Sequence, residues 1–226
     1  MKSLSIISAI AIFLVAFGCK KDAAPKFAQL FAINDGFITN SNPKTITEYY
    51  DGLCGRNIQI GWTNSGDAMR GFISFDISQI LPSEGKKLNL LNVELNVYEC
   101  NTNLHPFDGD GGTRGVEVYL LDYRNLHVDD FNANAVANCG IIASWGYNVL
   151  EEYSLNITEI AKSYYNEDPL KRTRLQFRMQ FTNDQNITNT DSSDLDGSIW
   201  SFFAEEETSY NEISASLNIE YEYKEN

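Results

Sequence analysis

Three stretches of this chain alternate apolar and polar residues with a period of two. Val93, Leu95 and Val97 interleave with Glu94, Asn96 and Tyr98. Leu175, Phe177, Met179 and Phe181 interleave with Arg174, Gln176, Arg178 and Gln180, and Leu217, Ile219, Tyr221 and Tyr223 with Asn218, Glu220 and Glu222. Successive side chains of a strand point to opposite faces, so such a chain buries one face and wets the other, the habit of antiparallel sheets. Further strands are predicted over 30–38, 57–62, 69–77, 116–122, 140–145, 149–156 and 198–204, because clusters of Gly, Asn, Asp and Ser between them supply turns. One short helix is predicted where Ile157, Ile160, Ala161 and Tyr164 follow helical spacing. Asn156 and Glu159 are placed to form its capping box, and Pro169 lies beyond its end. About ten strands and one short helix predict an all-β protein, a two-sheet antiparallel β-sandwich.

With 43% hydrophobic and 12% aromatic residues the chain is too apolar for a disordered protein. Its 31 acidic against 17 basic residues, a net charge of −14, exclude non-specific binding to nucleic acid, which needs a basic footprint. The N-terminus is organised differently from the rest. After Lys2 comes an apolar run from Leu4 to Phe17, too short for the ~20 residues of a membrane span and suited to a signal peptide. The junction Val15-Ala16-Phe17-Gly18-Cys19 resembles the lipobox of bacterial lipoproteins, and the Cys-Lys-Lys-Asp start that follows resembles lipoproteins of the Bacteroidota. That resemblance implies removal of 1–18, lipidation of Cys19, and an anchor in the cell envelope, expected in the outer membrane with a periplasmic or surface-exposed body. Two or three acyl chains, at ~0.8 kcal/mol per buried CH₂, hold stably where one does not. Residues 19–27 form the lipidated cysteine and a short tether; Lys20 to Lys26 reaches only ~25 Å fully extended. Residues 28–226 carry no internal repeat or Pro/Gly-rich linker and are read as a single domain.

Cys54, Cys100 and Cys139 remain, an odd number that permits one intramolecular disulfide with three pairings open. The absence of any CxxC motif and a total of 2 His argue against zinc. Nucleophilic catalysis needs a base beside the nucleophile, and His105 and His127 both fall in predicted loops. There is no Gly-rich phosphate loop, and no pair of carboxylates stands out for glycoside hydrolysis, so no enzyme is expected. Asp108-Gly109-Asp110-Gly111-Gly112 and the run from Asp191 to Gly197 supply oxygen ligands of the kind calcium takes, with Asp194 and Asp196 the leading candidates for a structural calcium site. The competing reading is Asp/Gly turns in an acidic protein, and no other cofactor is expected.

Sugar recognition calls for hydrogen-bond donors and aromatic rings. The polar face of the strand around 173–181 offers Arg174, Gln176 and Arg178 in a ladder with Gln180, and Trp145 and Tyr147, with Tyr49, Tyr50 and Trp62, offer rings for a platform. Against this, such ladders pair across strands with acids such as Glu220 and Glu222, and tryptophans pack in cores.

The order of segments resembles one family. Arg70-Gly71-Phe72-Ile73-Ser74-Phe75-Asp76-Ile77-Ser78 is similar to the R-S-x-L-x-F-D-L-S segment of DNRLRE-type domains, and Ile80-Leu81-Pro82 with 88–97 is similar to its continuation. Glu117-Val118-Tyr119, the stretch from Tyr153 to Ile160 (Asn156 where the family has Asp), and 202–206 with 215–223 follow in the same order. The resemblance implies a jelly roll related to carbohydrate-binding modules. It carries fold more than ligand, because the matching residues are core and turn positions. The expectation is a membrane-anchored, non-catalytic module that binds polysaccharide or another cell-surface glycan. The alternative is a structural or adhesion lipoprotein that contacts a protein partner and binds no sugar.

Overall fold

The computed structural model describes residues 24–52, 55–103, 107–109, 112–144, 151–168, 172–185, 198–203 and 214–225. Its strands, in chain order, are β1 (Lys26–Phe31), β2 (Ile33–Thr39), β3 (Thr45–Thr47), β4 (Tyr50–Gly52), β5 (Gly55–Trp62), β6 (Ala68–Asp76), β7 (Lys86–Asn103), β8 (Asp108–Gly109), β9 (Gly112–Thr113), β10 (Val116–Leu121), β11 (Ala137–Ala143), β12 (Glu152–Asn156), β13 (Arg174–Phe181), β14 (Ile199–Phe203) and β15 (Ser216–Glu225). One helix, α1 (Thr158–Glu167), and two 3-10 turns, Ser78–Ile80 and Val128–Asn132, complete the described elements. None of the described helices is long and apolar enough to cross a membrane.

Thirteen strands join in one antiparallel ladder in the order β1-β15-β7-β14-β5-β6-β13-β10-β11; β12 flanks β7, β2 and β3 lie beyond β6, and β4 lies beside β5. The ladder curls at two places. At the first, β7 runs for 18 residues and pairs with β15 up to Asn96 and with β14 from Glu99 onward. The second is the joint between β5 and β6, held by only the Gly61↔Met69 and Trp62↔Ala68 pairs. Gly61 takes φ +129 there, and a Cβ on it would stand 2.2 Å from the Ser198 carbonyl oxygen, so the corner admits no side chain.

The curl brings the alternating apolar faces together. Val93, Leu95, Val97, Ile58, Ile60, Trp200, Phe202, Leu217 and Ile219 from one limb share a single buried cluster with Ile73, Phe75, Leu175, Phe177, Phe181, Val116 and Val118 from the other. Each such side chain, fully buried, contributes ~1.5–3 kcal/mol. Gly71 marks how close the limbs approach, since a Cβ there would meet Ile58 Cγ2 at 2.7 Å. Aromatic rings fill the middle: Trp62 stacks on Phe181 at 5.5 Å, and Phe107 meets Phe181 edge-on at 5.1 Å.

All-β, antiparallel architecture with one helix is therefore as expected, with local differences. The strand predicted over 30–38 breaks at Ala32 into β1 and β2. The helix starts at Thr158 with Ile157 at the cap and no side-chain capping bond. Asn156 instead accepts the Thr158 N–H at 3.1 Å, while Thr158 Oγ1 accepts from Val93 N at 2.9 Å and ties the helix to β7. Cys100 is disulfide-bonded and Cys139 is a free thiol, which excludes the two pairings that involve Cys139. Burial pushes the Cys139 thiol up to about 12.

Candidate functional site

The polar face of β13 divides into two environments. Arg178 lies in the first, and the sequence expectation of an open ladder fails for it. It is 7% exposed, and its Nη1 donates to the carbonyls of Phe131 (3.1 Å), Ala133 (2.8 Å) and Asp130 (3.5 Å). Those carbonyls belong to the 3-10 turn Val128–Asn132 and its exit, which lies over the outer face of β6 and β13. The turn is stabilised locally: Asp129 N donates to His127 Nδ1 at 3.3 Å, and His127 N donates to Asp130 Oδ2 at 2.7 Å.

Beside Arg178, Arg70 of β6 makes a two-pronged pair with Asp184, Nε to Oδ2 at 2.6 Å and Nη2 to Oδ1 at 2.8 Å. Its Nη1 donates to the Phe131 carbonyl and to Asn132 Oδ1, and its guanidinium lies 4.0 Å from the Phe131 ring centre. Burial and the neighbouring Arg70 pull the Arg178 guanidinium down to about 10. Nor does the ladder pair with Glu220 or Glu222, which sit on β15; the partners of β13 are β6 and β10. Arg178 is a brace that fastens the covering turn to the sheet.

Arg174 and Gln176 lie in the second environment, a cleft of about 620 Å³ between 122–125 on one wall and 172–176 on the other, with Tyr164 and Asp168 contributing from α1 and its exit. That volume falls within the ~300–1,000 Å³ typical of ligand sites. Arg174 is exposed, and its Nη1 donates to the Arg124 carbonyl at 3.2 Å, linking the walls. Arg172 is held in place: Nη1 meets Asp122 Oδ2 at 2.7 Å, Nη2 meets Glu167 Oε2 at 3.4 Å, and the guanidinium stacks 3.9 Å from the Tyr164 ring centre. Burial raises the Tyr164 hydroxyl above its usual value, so it stays protonated and keeps its donor. In the floor, Gln176 is 3% exposed; its Oε1 accepts from Tyr123 N at 3.0 Å while its Nε2 has no partner among the described residues. An unsatisfied buried amide costs about 1–3 kcal/mol.

No family model matches the chain, and no curated protein is significantly similar to it.

Arg124 and Arg172 escaped the alternation argument because neither occupies the alternating part of a strand. A signal was present, though: Lys171-Arg172-Thr173-Arg174 holds three basic residues in four within a strongly acidic chain. Of the rings expected to form a platform, Trp62 is fully buried with its Nε1 donating to the Gln185 carbonyl at 2.9 Å, so it is core. Tyr49 lies under Arg56, its ring centre 4.3 Å from the guanidinium carbon, and Tyr50 is exposed. Trp145, Tyr147, Asp194, Asp196 and Cys19 lie outside the described residues. Among the described residues no group of three or more His, Cys, Asp or Glu side chains is placed to hold a metal ion.

Proposed function

We propose that this chain is a lipid-anchored, non-catalytic module of the cell envelope that binds a polysaccharide, built as a jelly-roll sandwich of the DNRLRE type. The curled ladder, with two limbs closing over one core, supports the sandwich reading. The lipobox-like junction at Cys19 and the short tether support a module that rides close to the membrane. One observation carries the ligand reading: the cleft between 122–125 and 172–176 presents the exposed guanidinium groups of Arg124 and Arg174 on a protein whose net charge is −14. Guanidinium and amide donors take hydroxyl and acidic oxygens.

Affinity electrophoresis of the protein across a polysaccharide panel tests this. Retardation on at least one glycan, diminished in Arg174→Ala, is expected; free migration on every glycan moves the protein to the adhesion class, in which the partner is another protein.

A further inference from the structure

We infer that the cleft between 122–125 and 172–176 recognises a sulfate ester on a polysaccharide, with Arg124 and Arg174 as the charged contacts; this rests on the glycan reading above. The first ground is charge. Arg124, Arg172 and Arg174 are matched by Asp122, Asp168 and the Glu167 carboxylate that pairs with Arg172, three guanidiniums against three carboxylates, so the cleft is close to neutral on a protein of net charge −14. Beside three carboxylates a monoanion is repelled less than a dianion such as a phosphate monoester.

The second ground is which donors stand open. Arg172 is committed to Asp122, Glu167 and Tyr164. Arg124 makes no side-chain hydrogen bond or ion pair among the described residues, and Arg174 makes only its bond to the Arg124 carbonyl. Adjacent to them, the side chains of Asn125 and Thr173 are exposed and likewise have no partner among the described residues. Each wall thus contributes an arginine beside a neutral donor: Arg124-Asn125 on one, Thr173-Arg174 on the other.

The third ground is the number of acceptors needed. A carboxylate has two oxygens, and one arginine fork occupies both. A phosphodiester also offers two terminal oxygens. A sulfate ester offers three, spread tetrahedrally, and so engages the exposed donors on both walls at once. It carries only a single charge, which a near-neutral cleft tolerates better than two.

Calorimetric titration of the full chain in detergent with dextran sulfate, carboxymethyl-dextran of equal charge density and plain dextran tests the assignment. Expected are binding of dextran sulfate, binding of carboxymethyl-dextran at least tenfold weaker, and none of plain dextran. Arg124→Ala and Arg174→Ala, both at exposed positions where folding is preserved, should each weaken dextran sulfate binding tenfold or more, and Lys162→Ala, outside the cleft, should not. Equal affinity for the carboxymethyl and sulfated polymers overturns the sulfate assignment while leaving the glycan reading intact. Undiminished binding by the Arg124→Ala/Arg174→Ala double variant overturns the site. Failure to bind these polymers and every glycan of the wider panel overturns both.

Discussion

Replacing Arg70 by Met keeps most of its volume and removes its charge, which isolates the buried ion pair beneath the turn Val128–Asn132. Arg70 and Asp184 side chains are 8% and 2% exposed, and the pair is two-pronged at 2.6 and 2.8 Å. Removing one partner of such a pair leaves a buried charge uncompensated, at a cost of about 3–5 kcal/mol. Two further contacts go with it, to the Phe131 carbonyl and Asn132, so the upper half of that range is expected. For a domain of this size 1 kcal/mol moves the melting midpoint by about 2–4 °C, giving a fall of roughly 8–20 °C by calorimetry. The pH dependence has a defined sign. Burial already pushes the Asp184 carboxyl above its usual value, and Arg70 opposes that push. In Arg70→Met the native carboxyl rises further, so the folded state binds a proton more readily than the unfolded state. The deficit relative to wild type is then full above the native pKa and shrinks as pH falls through it towards the unfolded value. A surface pair is the control: Glu159→Ala, breaking the 2.7 Å contact with Lys162, should cost at most about 0.5 kcal/mol. A loss in Arg70→Met as small as the control's, or a deficit independent of pH, refutes the reading of Arg70–Asp184 as a buried ion pair on which the fold depends.

Gly61→Ala forces a Cβ against the Ser198 carbonyl at φ +129, whereas Gly85→Ala at φ +82 meets open space; urea titration should show the first losing well over 2 kcal/mol and the second only about 1–2 kcal/mol. Cys139, pushed up to about 12 by burial, should stay unalkylated by iodoacetamide in native protein at pH 8 and react on unfolding, as read by mass spectrometry. Tyr119 is also pushed up to about 12, by burial and by its bond to Glu117. Its native state holds the proton that the unfolded state gives up, so stability falls as pH rises from about 10 to 12, and Tyr119→Phe should flatten that fall. Cys19→Ala in cells should shift the protein from membranes to the soluble fraction, and continued sedimentation with membranes overturns the lipid anchor.

Alternation in β13 correctly told which residues share a face, and Leu175, Phe177, Met179 and Phe181 are all at most 1% exposed. It says nothing about what covers the opposite face. Arg178 and Gln176 are as polar as any solvated strand residue, yet a segment some fifty positions away in sequence closes over Arg178 and a backbone N–H at Tyr123 meets Gln176. The local clue was weak: Phe131 is a lone aromatic in a polar turn, and an aromatic there has to bury itself somewhere. In β6 the pattern is masked altogether, because Arg70, Phe72 and Ser74 on the outer face are as buried as Ile73 and Phe75 on the inner one. A strand sandwiched on both sides loses its period-two signal, and only its hydrogen-bond partners reveal which polar groups are satisfied. Polar character and position along β13 were therefore legible, while exposure was not, and exposure decides function here. Arg174 and Arg178 stand four residues apart on one face of one strand with the same chemistry. One ends as an exposed donor at a cleft and the other as a brace under a turn. The difference lies in how far a distant segment closes over the guanidinium: 130–133 supplies three carbonyl oxygens and buries Arg178, whereas Arg174 receives only the Arg124 carbonyl and stays exposed. Any binding assay that substitutes the two arginines together would confound ligand loss with unfolding. The informative comparison is Arg174→Ala against Arg178→Ala, where the first should lose glycan with an unchanged melting midpoint and the second should lose stability.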